Sequence, residues 1–348
     1  MSSSARVPVG VVGASGFLGA EVVRLLAQHP RVELAALCAA SSAGRLIGEV
    51  RPSLAALGDR RLEPVDAEAL ARRCELVFLA LPHGESAELA RALGGRTRVI
   101  DLGSDFRLRD ARGYPRYYGR EHPHPELLER AQYVLPELTP AAADGVDIIA
   151  NPGCFATALA LGLAPLCPAL DAKARVAASG VTGSSGSGAA PSSRVHHSLR
   201  HNNLCTYKPL EHQHLGELYQ LLEQRGARRA VDFVPHSGPF VRGIHLTLVA
   251  RDDELGAHAG GAARALYEAA YADAPLVRLL PAGETVQLGA VIGSCRADIA
   301  VTSRDGATVV TVAIDNLLKG GSGQAVHNMN LWLGFDALEA VPRLGVWP

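Results

Sequence analysis

The stretch Gly13-Ala-Ser-Gly-Phe-Leu-Gly19 follows a short apolar run, Val7 to Val12, and opens onto Glu21 to Ala27, where apolar residues recur at helical spacing. This order of strand, glycine turn and helix, with GxxGxxG spacing, is a variant of the dinucleotide-binding fingerprint. Glycines allow the tight turn and a close backbone approach, and the pyrophosphate sits on the helix N-terminus. The alternative is that the glycines only allow a tight turn between strand and helix and bind no dinucleotide. The residues expected to contact a dinucleotide here are Gly13, Ser15, Gly16, Phe17 and Leu18.

Further apolar runs alternate with helical segments through the first 150 residues. Strands are predicted at Val32 to Cys38, Leu76 to Leu81, Arg98 to Leu102 and Val146 to Ala150. This alternation indicates an α/β fold with a Rossmann-type, doubly wound parallel sheet. Ligands of such sheets bind beyond the carboxyl ends of the strands, where Pro82 is a cofactor candidate and Arg107 a candidate for binding a carboxylate or phosphate. An internal ion pair of Arg107 with Asp101 or Asp105 is the alternative.

The end of the second predicted strand bears on the choice between NAD and NADP. An NAD site usually places Asp or Glu there for the ribose 2′-hydroxyl. This chain has Ala39-Ala-Ser-Ser-Ala-Gly-Arg45 instead, without a carboxylate. Because hydroxyls and a guanidinium suit a 2′-phosphate, Ser41, Ser42 and Arg45 predict NADP. The alternative is that Arg45 is only a charged loop residue that faces solvent.

A second stretch that indicates chemistry is Asn151-Pro-Gly-Cys-Phe-Ala-Thr157, which contains a cysteine. It stands directly before the apolar run Ala158 to Ala164. The thiol is therefore expected at a helix start, where unpaired N–H groups and partial positive charge favour thiolate over thiol. Pro152 fixes the approach of the chain, and Gly153 leaves room beside the sulfur. We interpret Cys154 as a nucleophile, and a buried structural cysteine is the alternative.

Composition bounds the class of protein. A length of 348 residues suggests about two domains, and 48% hydrophobic with 20% charged residues is typical of a globular chain. A formal net charge of −1 gives no general attraction to nucleic acid or to an anionic membrane. The six cysteines lack the spacing of a zinc site or a disulfide framework. This spacing also leads us to expect no metal. No apolar stretch is long enough for a membrane span or a signal sequence, so we expect a cytoplasmic protein.

The second half of the chain mixes strands and helices in an α+β pattern, unlike the first. We expect a dinucleotide-binding domain over 1–150 and a catalytic domain over 151–323. A C-terminal helix within 324–348 is expected to return to the first domain. A helix is also predicted around His258 to Tyr271, and a hairpin over Arg304-Asp-Gly306.

A Gly/Ser-rich segment, Val181 to Gly188, follows the predicted strand Ala174 to Gly180. Its composition is that of a flexible linker. Its position between strands and after the nucleophile favours a loop that closes over cofactor or substrate instead. Ser179 and Gly180 are the cofactor candidates at this strand end.

Two histidines enter a predicted amphipathic helix in the segment Glu211-His-Gln-His-Leu-Gly-Glu217. A neutral imidazole near a thiol is the usual general acid/base for acyl chemistry, so His212 and His214 are both candidates. The remaining histidines considered lack periodicity or metal-ligand partners and are interpreted as loop or surface residues: His122, His124, His196, His197 and His201.

Several motifs lie along nearly the whole chain in a fixed order. They are the glycine turn, Leu81-Pro-His-Gly84, Asp101-Leu-Gly-Ser-Asp-Phe-Arg-Leu108, Leu135-Pro-Glu137, Asn151-Pro-Gly-Cys154, Arg242-Gly-Ile244, Asp315-Asn-Leu-Leu-Lys-Gly320 and Gly323-Gln-Ala-Val-His-Asn-Met-Asn330. Together they resemble N-acetyl-gamma-glutamyl-phosphate reductase, a family in the aspartate-semialdehyde dehydrogenase-like group. Their number and order make the resemblance specific.

The resemblance implies an NADPH-dependent enzyme that converts N-acetyl-gamma-glutamyl phosphate to N-acetylglutamate semialdehyde in arginine biosynthesis. It implies a thioester on Cys154, a histidine of the His212-Gln-His214 motif as acid/base, and Asn316 beside the nicotinamide. It also implies homodimers or homotetramers formed by the second domain. Arg107 and Tyr207 are our candidates for contacting the carboxylate or phosphate of the substrate.

This chain departs from the family pattern in two places. The usual His-Arg-His followed by Pro-Glu is replaced by His212-Gln-His-Leu-Gly-Glu217, which leaves open which histidine acts. The loop Val181 to Gly188 lacks an arginine and is similar to that of relatives which reduce an aminoadipyl or glutamyl phosphate held on a small carrier protein. A carrier-linked substrate is therefore the alternative, with Arg194, Arg200 and Lys208 as a candidate basic rim.

A nonenzymatic alternative would keep the fold and use Cys154 as an NADP-linked redox sensor. Such a sensor would lack the base or carry a resolving cysteine nearby. His212 and His214 are present, and Cys167 lies about 20 Å along the same segment if it is helical. We therefore predict an enzyme.

Overall fold

The computed structural model describes residues 6–193, 195–255 and 262–347, which form two compact units. The first unit consists of the chain up to Pro152 together with Gly321–Val341. The second consists of Gly153–Gly320 and the residues from Pro342 onward. The first passage of the chain between the units therefore comes directly before Gly153 and Cys154.

A six-stranded parallel sheet forms the core of the first unit. Its strands are β1 (Val7–Val12), β2 (Val32–Cys38), β3 (Leu76–Leu79), β4 (Arg98–Asp101), β5 (Ala131–Tyr133) and β6 (Ile148–Ala150). They lie in the order β2-β1-β3-β4-β6-β5, and every neighbouring pair is parallel. The order reverses between β1 and β3, which is the point where ligands of doubly wound sheets bind. The predicted Rossmann-type sheet is confirmed.

The helices fall close to the predicted segments where apolar periodicity was strong. Their bounds are α1 (Phe17–Leu26), α2 (Ile47–Val50), α3 (Ala67–Arg73), α4 (Ser86–Leu93), α5 (Gly113–Tyr118), α6 (Cys154–Leu163), α7 (His197–Arg200), α8 (His214–Gln224), α9 (Asp252–Leu255), α10 (Ala263–Ala270) and α11 (Ser322–Trp332). The predicted helix start at His258 lies outside the described residues. None of the helices in the described ranges combines the length and hydrophobicity that crossing a bilayer requires.

The segment from Tyr114 to Pro140 is rich in Pro, His and Tyr, a composition that predicts a structured loop, but it contains regular secondary structure. It holds most of α5, a 3₁₀ helix at Pro125–Arg130 and the edge strand β5. The loop interpretation was wrong for these residues. Strand β5 has only three residues and pairs on one side alone, so it is too short for an alternating pattern to show in the sequence.

The second unit is built on a seven-stranded mixed sheet. Its strands are β7 (Arg175–Thr182), β8 (Cys205–Thr206), β9 (Ala230–Ser237), β10 (Ile244–Arg251), β11 (Val277–Leu279), β12 (Ala297–Arg304) and β13 (Ala307–Ile314). They lie in the order β11-β12-β13-β10-β7-β9-β8. Strands β12 and β13 form the predicted antiparallel hairpin over residues 304–306. Helix α6 covers one face of this sheet: a Cβ added to its Gly162 would lie 2.6 Å from a methyl group of Leu248 on β10.

The expected C-terminal helix is present as α11 in the first unit, and the chain after it joins the second unit. Helix α11 ends at Trp332, and Gly334 follows with a φ of +68°. A left-handed glycine is a common helix terminator. The chain from Pro342 belongs to the second unit, where the Pro342 carbonyl accepts a hydrogen bond from the Cys295 N–H at 2.7 Å.

Candidate active site

Cys154 is the first residue of α6 and is partly exposed. Gly153 is the N-cap residue, and within the described chain no side chain caps this helix. The unpaired N–H groups and the positive end of the helix dipole therefore lie beside the sulfur. The remainder of the helix, Phe155 to Leu163, is buried, so packing holds its N-terminus in place.

A buried carboxylate supports the turn before the cysteine. Glu217, on α8, is fully buried, and its Oε2 accepts a hydrogen bond from the Gly153 N–H at 2.8 Å. Its other oxygen, Oε1, lies 3.9 Å from Nε2 of His214. One side chain thus connects the backbone that carries Cys154 to one of the two candidate histidines.

His212 lies in an aromatic cluster. Its ring centroid is 4.6 to 5.6 Å from four other rings, those of Phe155, Tyr207, His214 and Phe233. Its Nδ1 accepts a hydrogen bond from the His214 N–H at 3.3 Å. Burial, followed by the nearby His214, lowers the pKa of His212 to about 2. The imidazole is therefore neutral at physiological pH and poorly suited to carrying a proton.

Tyr207 contributes to the same cluster. Its ring is 5.6 Å from that of His212, and its N–H donates to the Pro235 carbonyl at 3.1 Å. The residues that follow are held in unusual backbone conformations: Lys208 and Leu210 have φ values of +43° and +64°. Such conformations are uncommon for residues other than glycine, so this turn is specified by its surroundings.

The turn Asp315 to Gly320 packs against the cysteine. A Cβ added to Gly320 would lie 2.7 Å from the Cβ of Cys154. Asn316, in this turn, accepts a hydrogen bond from the Gly243 N–H at 2.6 Å and donates through Nδ2 to the Ser185 hydroxyl at 3.0 Å. Asn316 is 3% exposed, so its amide is held in one orientation.

Asp315 anchors that turn. Its buried carboxylate accepts hydrogen bonds from the Arg242 guanidinium at 3.1 and 3.3 Å. It also accepts backbone N–H groups of Gly293, Leu317 and Leu318. With four donor groups around a buried carboxylate, the loop that carries Asn316 is rigid.

Ser179 and Gly180 lie in the middle of β7 rather than at its end. Strand β7 continues through Thr182. Gly180 packs beneath the Phe155 ring, where a Cβ would approach within 2.5 Å, and Ser179 points to the opposite, exposed face. A cofactor contact at these two positions stays a prediction, whereas the neighbouring loop residue Ser185 contacts Asn316 directly.

The glycine turn of the first unit has the shape that a dinucleotide requires. Gly13 has a φ of +81°, and a Cβ there would lie 2.2 Å from the Ala80 carbonyl oxygen. A Cβ on Gly19 would lie 2.1 Å from the Gly13 oxygen. Helix α1 begins after Gly16 with no acidic residue in its first turn and, in the part of the chain described, no capping side chain. Ser15, Phe17 and Leu18 are partly exposed at this end, so the turn fits a pyrophosphate.

The predicted NADP determinants follow the carboxyl end of β2. Ser41 is exposed and Ser42 partly exposed. The side chain of Arg45 is 57% exposed, and its Nε lies 4.0 Å from the Glu49 carboxylate, an exposed pairing of little energetic value. Pro82 is exposed beyond the end of β3. These positions are open to a ligand at the strand ends.

Arg107 lies inside the first unit and is 5% exposed. Its guanidinium donates to the carbonyls of Asn151, at 3.0 Å, and Leu102, at 2.8 Å. The nearby Asp105 carboxylate instead pairs with Arg120 at 2.5 Å and accepts the N–H groups at the start of α4. Two hydrogen bonds of the guanidinium thus go to backbone carbonyls, and the ion pair of Arg107 with Asp101 or Asp105 stays an alternative. Arg107 holds the strand end that leads to the cysteine.

Asp101, next to this network, is completely buried. Burial, and then the charge of Asp105, raise its pKa to about 6, despite a hydrogen bond from the Gly103 N–H at 2.8 Å. Its surroundings contain backbone groups and neighbouring side chains of the same loop. The cluster therefore stabilises the end of β4.

The other histidines are distributed as follows. His122 is buried, with Nε2 2.6 Å from the Asp105 carbonyl oxygen, and His196, His197 and His201 are exposed. Among the residues that the structure describes, no three potential metal ligands cluster. In the proposed basic rim, Lys208 donates to Gln213, Arg200 donates to the Gly238 carbonyl, and Arg194 lies outside the described residues.

Sequence reasoning assigned no role to Glu217 or Ser185. Glu217 stands three residues after His214, a spacing that places both side chains on one helical face, so the sequence held a signal for that pair. Its bond to Gly153 spans 64 positions, and the Ser185 bond to Asn316 spans 131. Neither contact leaves a trace in local spacing.

Two family models match the chain. One is the semialdehyde dehydrogenase NAD binding domain, over residues 8–146, and the other is the semialdehyde dehydrogenase dimerisation domain, over residues 154–316.

Similar proteins cover nearly the whole chain. An N-acetyl-gamma-glutamyl-phosphate reductase of Desulforudis audaxviator is 40% identical over 98% of this chain and all of its own length. That of Azotobacter vinelandii is 40% identical over 94% of this chain and 96% of its own, and that of Ectopseudomonas mendocina 41% identical over 95% and 96%. These names give no support to the carrier-linked alternative.

Solved structures share the fold. Aspartate semialdehyde dehydrogenase II from Vibrio cholerae, complexed with ASA, has a TM-score of 0.68 at 16% identity and covers 95% of this chain and 99% of its own. The Candida albicans enzyme with NADP gives the same TM-score, identity and coverage. At this identity the likeness establishes the fold alone.

Proposed function

The chain belongs to the N-acetyl-gamma-glutamyl-phosphate reductase family, and we propose from this premise that it reduces N-acetyl-gamma-glutamyl phosphate to N-acetylglutamate semialdehyde with NADPH, in arginine biosynthesis. The observation that carries the proposal is the partly exposed Cys154 at the N-terminus of α6, with Glu217 bonded to Gly153 and next to His214. A cytoplasmic location stays a prediction from the sequence.

The reaction begins with attack of the Cys154 thiolate on the acyl carbon of the substrate. A carbon–sulfur bond forms, the bond to the phosphate oxygen breaks, and inorganic phosphate leaves with the electron pair. We assign the stabilisation of the developing oxyanion to the N–H groups at the start of α6, which begins at Cys154. The resulting thioester accepts hydride, which a carboxylate would not, and NADPH supplies that hydride when bound. The thiohemiacetal then expels the thiolate and releases the aldehyde.

We assign the acid/base role to His214 rather than His212. His212 is held neutral within a ring cluster and its Nδ1 accepts the His214 N–H. His214 lies beside the Glu217 carboxylate, which stabilises an imidazolium. In this assignment His214 protonates the thiohemiacetal oxyanion and takes the proton back when the intermediate collapses. Glu217 is a positioning residue, because it holds both Gly153 and His214.

Each unit has its own proposed cofactor contacts. In the first, the turn Gly13 to Gly19 would hold the pyrophosphate, and Ser41, Ser42 and Arg45 the 2′-phosphate that distinguishes NADP. In the second, Asn316 would orient the nicotinamide, since Ser185 and Gly243 fix its amide.

For the substrate, Tyr207 is retained as a proposed contact because its ring lies against His212 at 5.6 Å. Arg107 is proposed as a positioning residue for the Asn151 backbone, since two carbonyls accept its hydrogen bonds. This leaves the anion contact of Arg107, expected from the sequence, as the weaker of the two assignments.

A homodimer is proposed to form through the second unit, in agreement with the matching dimerisation-domain model. One face of the seven-stranded sheet is covered by α6, and the other presents small or β-branched side chains that are partly exposed. In the central strands these are Ala177, Ser179, Val234, Thr247, Val249, Val309 and Thr311. The same face also carries Arg175, Asp232, His236 and His245, and its small, uncharged side chains suit contact with a second copy of the chain.

The reverse reaction tests the proposed activity. Reduction of NADP⁺ is followed with N-acetylglutamate semialdehyde, with and without inorganic phosphate, and repeated with NAD⁺. We expect turnover that requires phosphate and is faster with NADP⁺ at low concentration. Turnover without phosphate would contradict the acyl-phosphate chemistry, and absence of turnover by protein that binds NADPH would contradict the substrate.

A further inference from the structure

Arg51 was not singled out by the sequence, yet it lies directly against the glycine turn. Its Nε donates to the Ser15 carbonyl at 2.7 Å. Its guanidinium carbon lies 5.2 Å from the centroid of the Phe17 ring, over the first residue of α1. One cation therefore contacts both sides of Gly16, the N-cap residue of that helix.

The backbone of Arg51 is fixed at this place. Its N–H donates to the Ile47 carbonyl at 2.8 Å, and its own carbonyl accepts the Leu54 N–H at 2.8 Å. Pro52 follows, and a residue before proline is confined to extended conformations, as the φ of −132° and ψ of 90° at Arg51 show. The guanidinium is thus delivered to the turn by a rigid corner rather than by a mobile loop.

The guanidinium of Arg51 also has unused N–H donors. Of its three nitrogens, Nε is bonded to Ser15, and within the described residues the two terminal nitrogens form no hydrogen bond. The side chain is partly exposed. A planar group with unused N–H donors, held beside the positive end of a helix, suits two adjacent phosphate oxygens.

We propose that Arg51 binds the pyrophosphate of the dinucleotide, together with the N–H groups at the start of α1. The inference rests on the proposed function, which supplies the cofactor. In this proposal, two arginines bind different parts of the dinucleotide. Arg45 follows β2, where the ribose 2′-position lies, and Arg51 lies at the turn between β1 and α1, where the pyrophosphate lies.

The test is a fluorescence titration of wild-type and variant protein with NADPH and with NADH, which measures binding without turnover. Arg51→Ala is expected to weaken both ligands by the same factor, on the order of 10- to 100-fold, because both carry the pyrophosphate. Arg45→Ala is the matched control, and it is expected to weaken NADPH alone. An unchanged affinity in Arg51→Ala, or a loss confined to NADPH, would overturn the assignment.

A second variant separates ligand contact from support of the turn. Arg51→Gln can still donate to the Ser15 carbonyl but carries no charge. If Arg51 binds the pyrophosphate, Arg51→Gln loses affinity nearly as much as Arg51→Ala, and both bind with a weaker dependence on salt than the wild type. Restored affinity in Arg51→Gln, or an unchanged salt dependence in both variants, would show that Arg51 only supports the turn.

Circular dichroism and thermal unfolding confirm that each variant is folded before titration. If wild-type protein binds neither NADPH nor NADH, the proposed function is contradicted, whatever the behaviour of the Arg51 variants. Wild-type binding, with an equal loss of NADPH and NADH affinity in the Arg51 variants, supports both the function and the inference.

Discussion

Helices α1 and α6 begin in the same way and serve different chemistry. Each follows a strand of the same parallel sheet and has glycine as its N-cap: Gly16 with φ −75° and ψ 172°, and Gly153 with φ −72° and ψ 150°. Neither has an acidic residue in its first turn, nor, in the described ranges, a capping side chain. Both ends therefore present unpaired N–H groups and partial positive charge.

The two ends differ in the charge beside them. At α1 the Gly16 N–H donates to the Gly13 carbonyl, and the guanidinium of Arg51 donates to the neighbouring Ser15 carbonyl. At α6 the Gly153 N–H donates to the buried carboxylate of Glu217. A guanidinium strengthens the attraction for an anion that stays bound, whereas a carboxylate weakens it. The second arrangement lowers the affinity of the site for a free anion, which suits a reaction in which phosphate must leave.

A helix N-terminus is a general anion site whose use is decided by its neighbours. Substitutions at either end therefore have different expected effects.

Cys154→Ala removes the anion at α6 and should have the largest effect. We expect reductase activity to fall by at least about 10⁴-fold, because the nucleophile of a covalent mechanism is lost. Steady-state kinetics measure the loss, and Cys205→Ser, at an exposed cysteine, is the control that should retain activity. Mass spectrometry of wild-type protein with substrate and no NADPH should show an acyl adduct on Cys154. Near-normal activity of Cys154→Ala would rule out the thioester.

His214→Gln tests the acid/base assignment next to α6. We expect kcat to fall by about 10²- to 10⁴-fold, the usual contribution of a general acid/base. His212→Asn is the matched control, since asparagine can still accept the His214 N–H and no proton transfer is assigned to position 212. Its kcat should fall by less than about 10-fold. The opposite ranking of the two variants would assign the role to His212.

Gly19→Ala alters the other end, at α1. The added Cβ would lie 2.1 Å from the Gly13 carbonyl oxygen, which is backbone and cannot rotate away. We expect a loss of about 1–3 kcal/mol in the free energy of unfolding, typical of overpacking, and weaker NADPH binding. Gly16→Ala, where the Cβ would be 3.3 Å from the same oxygen, is the milder comparison. Equal urea midpoints for the two variants would contradict the close packing.

Glu217→Gln makes the two ends more alike by removing the charge beside α6. The amide can still accept the Gly153 N–H, but it cannot stabilise a protonated His214. We expect kcat to fall about 10-fold and the acidic limb of its pH profile to move to lower pH. Glu223→Gln, an exposed site on the same helix, controls for charge alone. A pH profile identical to that of the wild type would exclude the positioning role.

The smallest expected effect concerns pH and stability. Burial lowers the pKa of His212 from its ordinary value of 6.5 to about 2, so between these values only the unfolded chain takes up the proton. The stability is therefore complete above pH 6.5 and falls as pH is lowered below it. From pH 6.5 to 5.5, wild-type protein should lose about 1 kcal/mol more than His212→Asn. Urea unfolding at both pH values measures this, and parallel losses would contradict the burial effect.

Local sequence was sufficient wherever a feature depends on neighbours along the chain. The parallel sheet and the hairpin over residues 304–306 follow from periodicity and turn residues, and both are confirmed. The same reasoning missed β5, whose three residues are too few for a pattern. It also ended the strand before the Gly/Ser loop too early, because Val181 and Thr182 continue the pairing of β7 with β10.

Local sequence likewise identified some features of the candidate site and not others. Cys154 at a helix start and glycines at a tight turn were recognisable because their function depends on the residues next to them in sequence. The distinction between His212 and His214 was not, because it arises from rings contributed by Phe155 and Phe233.

The sequence by itself determined where the two helix N-termini are and that one of them bears a thiol, since backbone geometry and helix dipoles are local properties. Only the tertiary structure decided which charge stands beside each: Arg51 comes 36 positions after Ser15, and Glu217 comes 64 positions after Gly153. Burial and electrostatic interaction depend on distance in space, which the fold sets. The same local element is therefore a candidate cofactor site at α1 and a candidate reaction centre at α6.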